Sequence, residues 1–152
     1  METRRARSVE HGFVLAAALA APLLLVGFGL WLAPDARGYG THEKLGLPPC
    51  VMMEWFHLPC PGCGVTTSVA LAAHGRILDA ARNQPFGLFV ALAIPAAAIW
   101  ALVGHFRGRD LYRDLVSIRL GAWAWWLAGG IAAAWAYKIA VVLSSAPVKP
   151  PT

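Results

Sequence analysis

Long apolar stretches alternate with short polar links along this chain. No charged residue occurs over 12–33, and at about 1.5 Å rise per residue a helix of that length spans roughly the 30 Å hydrocarbon core of a bilayer. This predicts a first transmembrane helix. A second is predicted over 85–104, opened by Pro85, whose missing N–H costs nothing in a first helical turn. Pro95 near its middle predicts a kink. The third, over 120–142, is rich in Trp and Ala and carries Lys138 as its only charge. Intramembrane charges are functional by default, but Lys138 lies near the helix end, where its stem can carry the ammonium to the interface. The expectation is therefore a snorkelling lysine.

Composition supports the membrane reading. Hydrophobic residues make up 58% of the 152 and charged residues 14%, against roughly 25% charged in ordinary soluble domains. The net charge of +5 does not indicate a nucleic-acid partner, because the basic residues sit between apolar segments and form no solvated basic surface. The implied partner is the lipid bilayer, with a second membrane protein or another copy of the chain left open.

The same basic residues predict orientation, since cytoplasmic links keep the excess of Lys and Arg. Arg4, Arg5 and Arg7 precede the first span, and Arg107, Arg109, Arg113 and Arg119 fill the link between the second and third. This puts residues 1–11 inside as a basic N-terminus, exposes 34–84 outside, and leaves 144–152 as an external disordered tail, with 12–143 forming one membrane domain. A cleaved signal peptide fits less well than a retained anchor, because the first apolar run is too long and Ala33-Pro34-Asp35 makes a poor cleavage site. Arg4-Arg5 alone is a weak twin-arginine signal. The link from Arg107 to Val116 could form an interfacial helix on anionic lipid, but a plain topogenic loop requires only its charges.

All three cysteines fall between the first two spans, at Cys50 and in Cys60-Pro61-Gly62-Cys63-Gly64. Thiols at i and i+3 across a Pro-Gly turn can converge on one metal or close a disulfide. A short helix over 65–73 is predicted next, capped by Thr66, Thr67 or Ser68 and stopped by Gly75. At about 15 Å it spans half a membrane, so it is re-entrant or interfacial. Cys63 just ahead of its N-terminus would feel the helix dipole, which lowers a thiol's pKa and marks Cys63 as the reactive sulfur. The fold class is thus all-α: a small polytopic membrane protein with three transmembrane helices and one short helix after the Cys-Pro-Gly-Cys-Gly turn.

Several uses of these cysteines stay open. A structural disulfide suits an oxidising compartment. A zinc-like site would join Cys50, Cys60 and Cys63 to His57 or His42. Thiol–disulfide exchange is the third use, although no thioredoxin-like βαβ unit surrounds the motif. Inert packing is the last. His74, Arg76, Asp79 and Arg82 read as a solvated helix face with an Asp79–Arg82 pair at i, i+3. Trp123, Trp125 and Trp126, and toward the other end Trp135 and Tyr137, read as interfacial belts. Gly27, Gly29, Gly129 and Gly130 offer close helix approach. No nucleotide loop, carboxylate pair, hydrolase triad or transporter repeat is present to assign an enzyme class.

Around these cysteines the chain resembles a bacterial membrane family catalogued as a domain of unknown function (DUF2752-like). Its signature reads Cys-Pro-x-Cys-Gly-x-Thr-Arg, with an earlier cysteine, a short helix, a Gly and an Asn-Pro-like step into a transmembrane helix. The matching residues are Cys50, Cys60 to Thr66, His74-Gly75-Arg76, Ala80 and Asn83 to Gly87. Thr67 stands where the family commonly has Arg, and Gln84 is inserted between Asn83 and Pro85. The resemblance implies an architecture and a bacterial inner-membrane location, and no activity. From residues and resemblance together, the expected function is a small membrane scaffold or accessory protein with a structural cysteine loop, or else a metal-binding or thiol-redox protein.

Overall fold

A computed structural model of the protein describes residues 9–117 and 120–144. The described residues are helical and contain no strand: α1 (Val9–Trp31), a 3-10 turn (Thr41–Leu45), α2 (Val51–Phe56), α3 (Val65–Ala73), α4 (Ile77–Asn83), α5 (Pro85–Phe106), α6 (Leu111–Ser117) and α7 (Leu120–Ser144). Three of them, within α1, α5 and α7, are long and apolar enough to cross a membrane. The expected basic residues Arg4, Arg5, Arg7 and Arg119 and most of the expected tail lie outside the described residues.

These three helices turn their largest apolar side chains outward. Phe13, Leu23, Phe89, Trp123, Trp125 and Trp126 are all exposed, and a soluble monomer rarely exposes apolar patches beyond a few hundred Å². Lipid is the solvent this surface fits, and the chain is a multi-pass membrane protein. Pro22 lies inside α1 as Pro95 does inside α5, so both carry a residue that removes an intrahelical hydrogen bond.

The packed centre is formed by α1, α3 and α5, with α4 against α3 and α5. Small residues let the backbones meet. A Cβ on Gly29 would lie 2.6 Å from Ala73 Cβ, and one on Gly87 would lie 2.7 Å from Ser68 Cβ. Gly27, Gly129 and Gly130, expected to serve the same end, have no atom within 4 Å of such a Cβ. Against α5, α7 leaves a cleft of about 600 Å³ lined by Phe86, Phe89, Trp123, Trp126 and Tyr137 among others.

The basic link is more ordered than the preferred plain loop. Asp110 Oδ1 accepts from the Tyr112 and Arg113 N–H groups at 3.2 and 3.4 Å, capping α6 as short acidic side chains do. Leu111 is fully buried and fixes that helix against α1 and α5.

Candidate metal centre

The cysteine lobe occupies one end of the bundle. Cys50 is the N-cap of α2, its carbonyl accepting from the Met53 and Glu54 N–H groups at 2.9 and 3.0 Å. That helix stops at His57, which adopts the left-handed conformation with φ 54°. The chain then enters the Pro-Gly turn, closed by the Cys63 N–H on the Cys60 carbonyl at 2.9 Å. Gly64 follows with φ 86° as the N-cap of α3. A side chain there would press on the Gly38 carbonyl at 2.9 Å and on Lys138 Nζ at 3.1 Å, so a residue without Cβ is required twice over.

The two segments bring the three thiols together. The Sγ atoms of Cys50, Cys60 and Cys63 all lie within 4.8 Å of one another, and all three are free cysteines. Neither His57 nor His42 falls within that distance. His57 is exposed, because the left-handed turn that ends α2 carries the chain away from the sulfurs. The expected fourth ligand is thus not among the described groups that converge.

The thiols differ sharply in environment. Cys63 is buried, and burial pushes its thiol up to about 12, aided by the sulfurs of Cys50 and Cys60. The expected lowering at the α3 N-terminus does not prevail, since removal from water costs a thiolate more than a short helix dipole returns. Cys50 is half-buried. Burial raises its thiol, but hydrogen bonds from the Met53 N–H and from the other two cysteines outweigh that, and its pKa falls below the ordinary thiol value. The more reactive of these two sulfurs is therefore Cys50. A cavity of about 230 Å³ opens over it, lined by Arg37, Tyr39, Glu43, Pro49, Met53 and Glu54.

Arg37 is tied at this mouth. Its Nε and Nη2 donate to the Asp35 carboxylate at 3.0 Å each, and Nη2 reaches Glu43 at 2.7 Å. These hydrogen bonds hold the Asp35 carboxyl below its ordinary pKa.

Behind the turn lies a polar network centred on Asn83. Its Nδ2 donates to the Gly64 carbonyl at 3.1 Å and to Ser68 Oγ at 2.9 Å, and Ser68 Oγ donates to the Ala80 carbonyl at 3.0 Å. Its Oδ1 accepts from Lys138 Nζ at 2.8 Å. Lys138 also donates to the carbonyls of Gly38 and Asn83 at 3.1 and 3.2 Å and is 3% exposed. This overturns the snorkelling expectation: loop carbonyls fold over the lysine and shut it in.

Two more α7 side chains reach the lobe. Trp135 Nε1 donates to the Pro59 carbonyl and Tyr137 Oη to the Arg82 carbonyl, each at 2.8 Å. They serve as docking groups in addition to any interfacial role. Asp79 pairs with Arg76 at 2.8 Å, and the expected Asp79–Arg82 pair does not form. Thr67, at the position of the expected Arg, is fully buried with its hydroxyl 2.8 Å from that of Thr41. Gln84 is also fully buried, its Nε2 reaching the Pro61 carbonyl at 3.4 Å and its Oε1 without a hydrogen-bond partner among the described residues.

Residues 50–102 match the family described as a protein of unknown function (DUF2752). The matched segment runs from the first cysteine through most of α5, and is the region whose motif carried the resemblance. Searches among curated proteins and among solved structures return no match.

The Asn-Pro-like step and the cysteine turn were visible in the sequence, whereas the enclosure of Lys138 and the docking role of Trp135 were not. Only the rarity of a charge within an apolar helix signalled the former.

Proposed function

We propose that the cysteine lobe holds a thiophilic metal ion, zinc being the type case, through Cys50, Cys60 and Cys63, as the structural clip of a small membrane scaffold or accessory protein. The observation that carries this reading is the convergence of the three sulfurs within 4.8 Å. Tetrahedral zinc with Zn–S bonds of about 2.3 Å needs sulfurs roughly 3.8 Å apart, so a contraction of about an ångström at most would seat the ion. Three protein ligands leave one position, and the cavity over Cys50 would let water or a small ligand fill it, which sets this clip apart from structural zinc sites closed by four protein ligands.

Placement in the bacterial inner membrane, with the N-terminus cytoplasmic and the lobe outside, belongs to the same proposal. It is supported by Arg107, Arg109 and Arg113 in the α5–α7 link. A partner membrane protein or a second copy would meet the outward apolar faces of the spans.

Metal analysis of the protein purified in detergent, with thiol counting before and after reduction, tests the reading. One zinc per chain, lost on Cys63→Ser, is expected. A metal-free protein carrying a non-reactive Cys–Cys disulfide would contradict it and favour the structural disulfide among the same residues.

A further inference from the structure

Lys138 poses an electrostatic problem that hydrogen bonding alone does not solve. Lys138 is 3% exposed, and its Nζ is held by three neutral oxygens, the Gly38 and Asn83 carbonyls and the Asn83 side chain. No ion pair among the described residues includes it: the carboxylates of Asp35, Glu43, Asp79 and Asp114 are taken by Arg37, Arg76 and Arg109. A buried charge without a counter-charge costs several kcal/mol.

The group positioned to supply the counter-charge is the sulfur cluster. Lys138 Nζ lies 3.1 Å from where a Cβ of Gly64 would be, next in the chain to Cys63. The charged groups at the cluster's other side, Arg37, Glu43 and Glu54, line the cavity over Cys50.

We infer that Lys138 is the charge partner of the three-sulfur site and tunes it for a divalent soft cation. Three thiolates around a divalent ion leave one negative charge, which a single ammonium neutralises. Three thiolates around trivalent arsenic are already neutral. Arsenite binding joins three S–H groups to As(OH)3 with release of three waters, so it builds no net charge for the lysine to meet. Lys138 acts through the sulfurs and does not itself touch the ion. It also ties α7 to the cluster, because the charge that stabilises the ion stands on that helix. Lys138 lies outside the matched segment 50–102, so this part of the site is contributed by the rest of the chain. The inference rests on the reading of the sulfurs as a metal site.

The test compares cadmium ion with arsenite on the full chain in detergent, following the cadmium–thiolate absorption band in competition with a chelator and arsenite by thiol protection. Two variants are used: Lys138→Met, which removes the charge, and Lys138→Arg, which keeps it. Lys138→Met is expected to weaken cadmium binding about tenfold or more while changing arsenite binding by less than about twofold, and Lys138→Arg to recover most of the cadmium affinity. An equal loss for both ions in Lys138→Met, or a cadmium loss in Lys138→Arg as large as in Lys138→Met, would reduce Lys138 to a structural anchor and overturn the inference, as would unchanged cadmium affinity in Lys138→Met. Failure of the unsubstituted protein to bind either ion would instead remove the metal reading itself.

Discussion

The two ends of the helix bundle are both closed by polar side chains, and they are closed by different physics. At the end away from the cysteines, His11 of α1 is buried. Its Nδ1 accepts from the Leu111 N–H at 3.1 Å, and its Nε2 meets His105 Nδ1 at 3.1 Å. An Nδ1 that accepts leaves the proton of a neutral ring on Nε2, so His11 donates onward to His105. The rings stack with centroids 5.4 Å apart. These directed hydrogen bonds join α1, α5 and α6. The cysteine end instead places a buried ammonium, three thiols and a hub amide together. Among the described residues, the first end is joined through two rings and a backbone N–H. The ionisable groups gathered at the second are the basis of the metal proposal.

Substitutions at the two ends sharpen this contrast. The largest effect is expected from Asn83→Ala, which strips Lys138 of one acceptor and leaves the Gly64 carbonyl and Ser68 without their donor. Several buried polar groups lose partners together, and a loss of about 3 kcal/mol in unfolding free energy in detergent follows. His11→Ala removes the acceptor of the Leu111 N–H and should cost about 2 kcal/mol, with metal binding unaltered; a change in metal affinity would erase the distinction between the ends.

A smaller effect concerns the thiols. In the metal-free protein Cys50, with its lowered pKa, is expected to alkylate at pH 8 at least about tenfold faster than Cys63, as peptide mapping would show. The sign follows from the directions of the two shifts: burial pushes the Cys63 thiol up to about 12, whereas hydrogen bonds lower that of Cys50 from its ordinary value. Comparable rates would mean the cluster is open to water on both sides. The smallest change is expected from Trp135→Phe, which loses only the bond to the Pro59 carbonyl and should cost about 1 kcal/mol.

Much of the fold was legible because lipid imposes a simple rule: three apolar runs of spanning length become α1, α5 and α7. The short helix was legible from the apolar run stopped by Gly75, and α3 occupies Val65–Ala73, but its N-cap is Gly64 with no side-chain cap hydrogen bond, not Thr66, Thr67 or Ser68. The ligand set was legible only in part. Spacing brings Cys60 and Cys63 together, but the exclusion of His57 depends on a left-handed residue at the end of α2, and nothing in the local pattern marks it. The fate of Lys138 was hidden because its partners, Gly38 and Asn83, lie 100 and 55 residues away. His11 and His105, 94 residues apart, were hidden for the same reason. The α6 helix turns on Asp110 acting as a cap, which competes evenly with its role as a charge in a basic loop.

The most direct measurement is zinc K-edge absorption spectroscopy of the zinc-loaded protein in detergent. Convergence of Cys50, Cys60 and Cys63 on one ion predicts three sulfurs at about 2.3 Å and one lighter atom near 2.0 Å. A coordination shell with fewer than three sulfurs would contradict it.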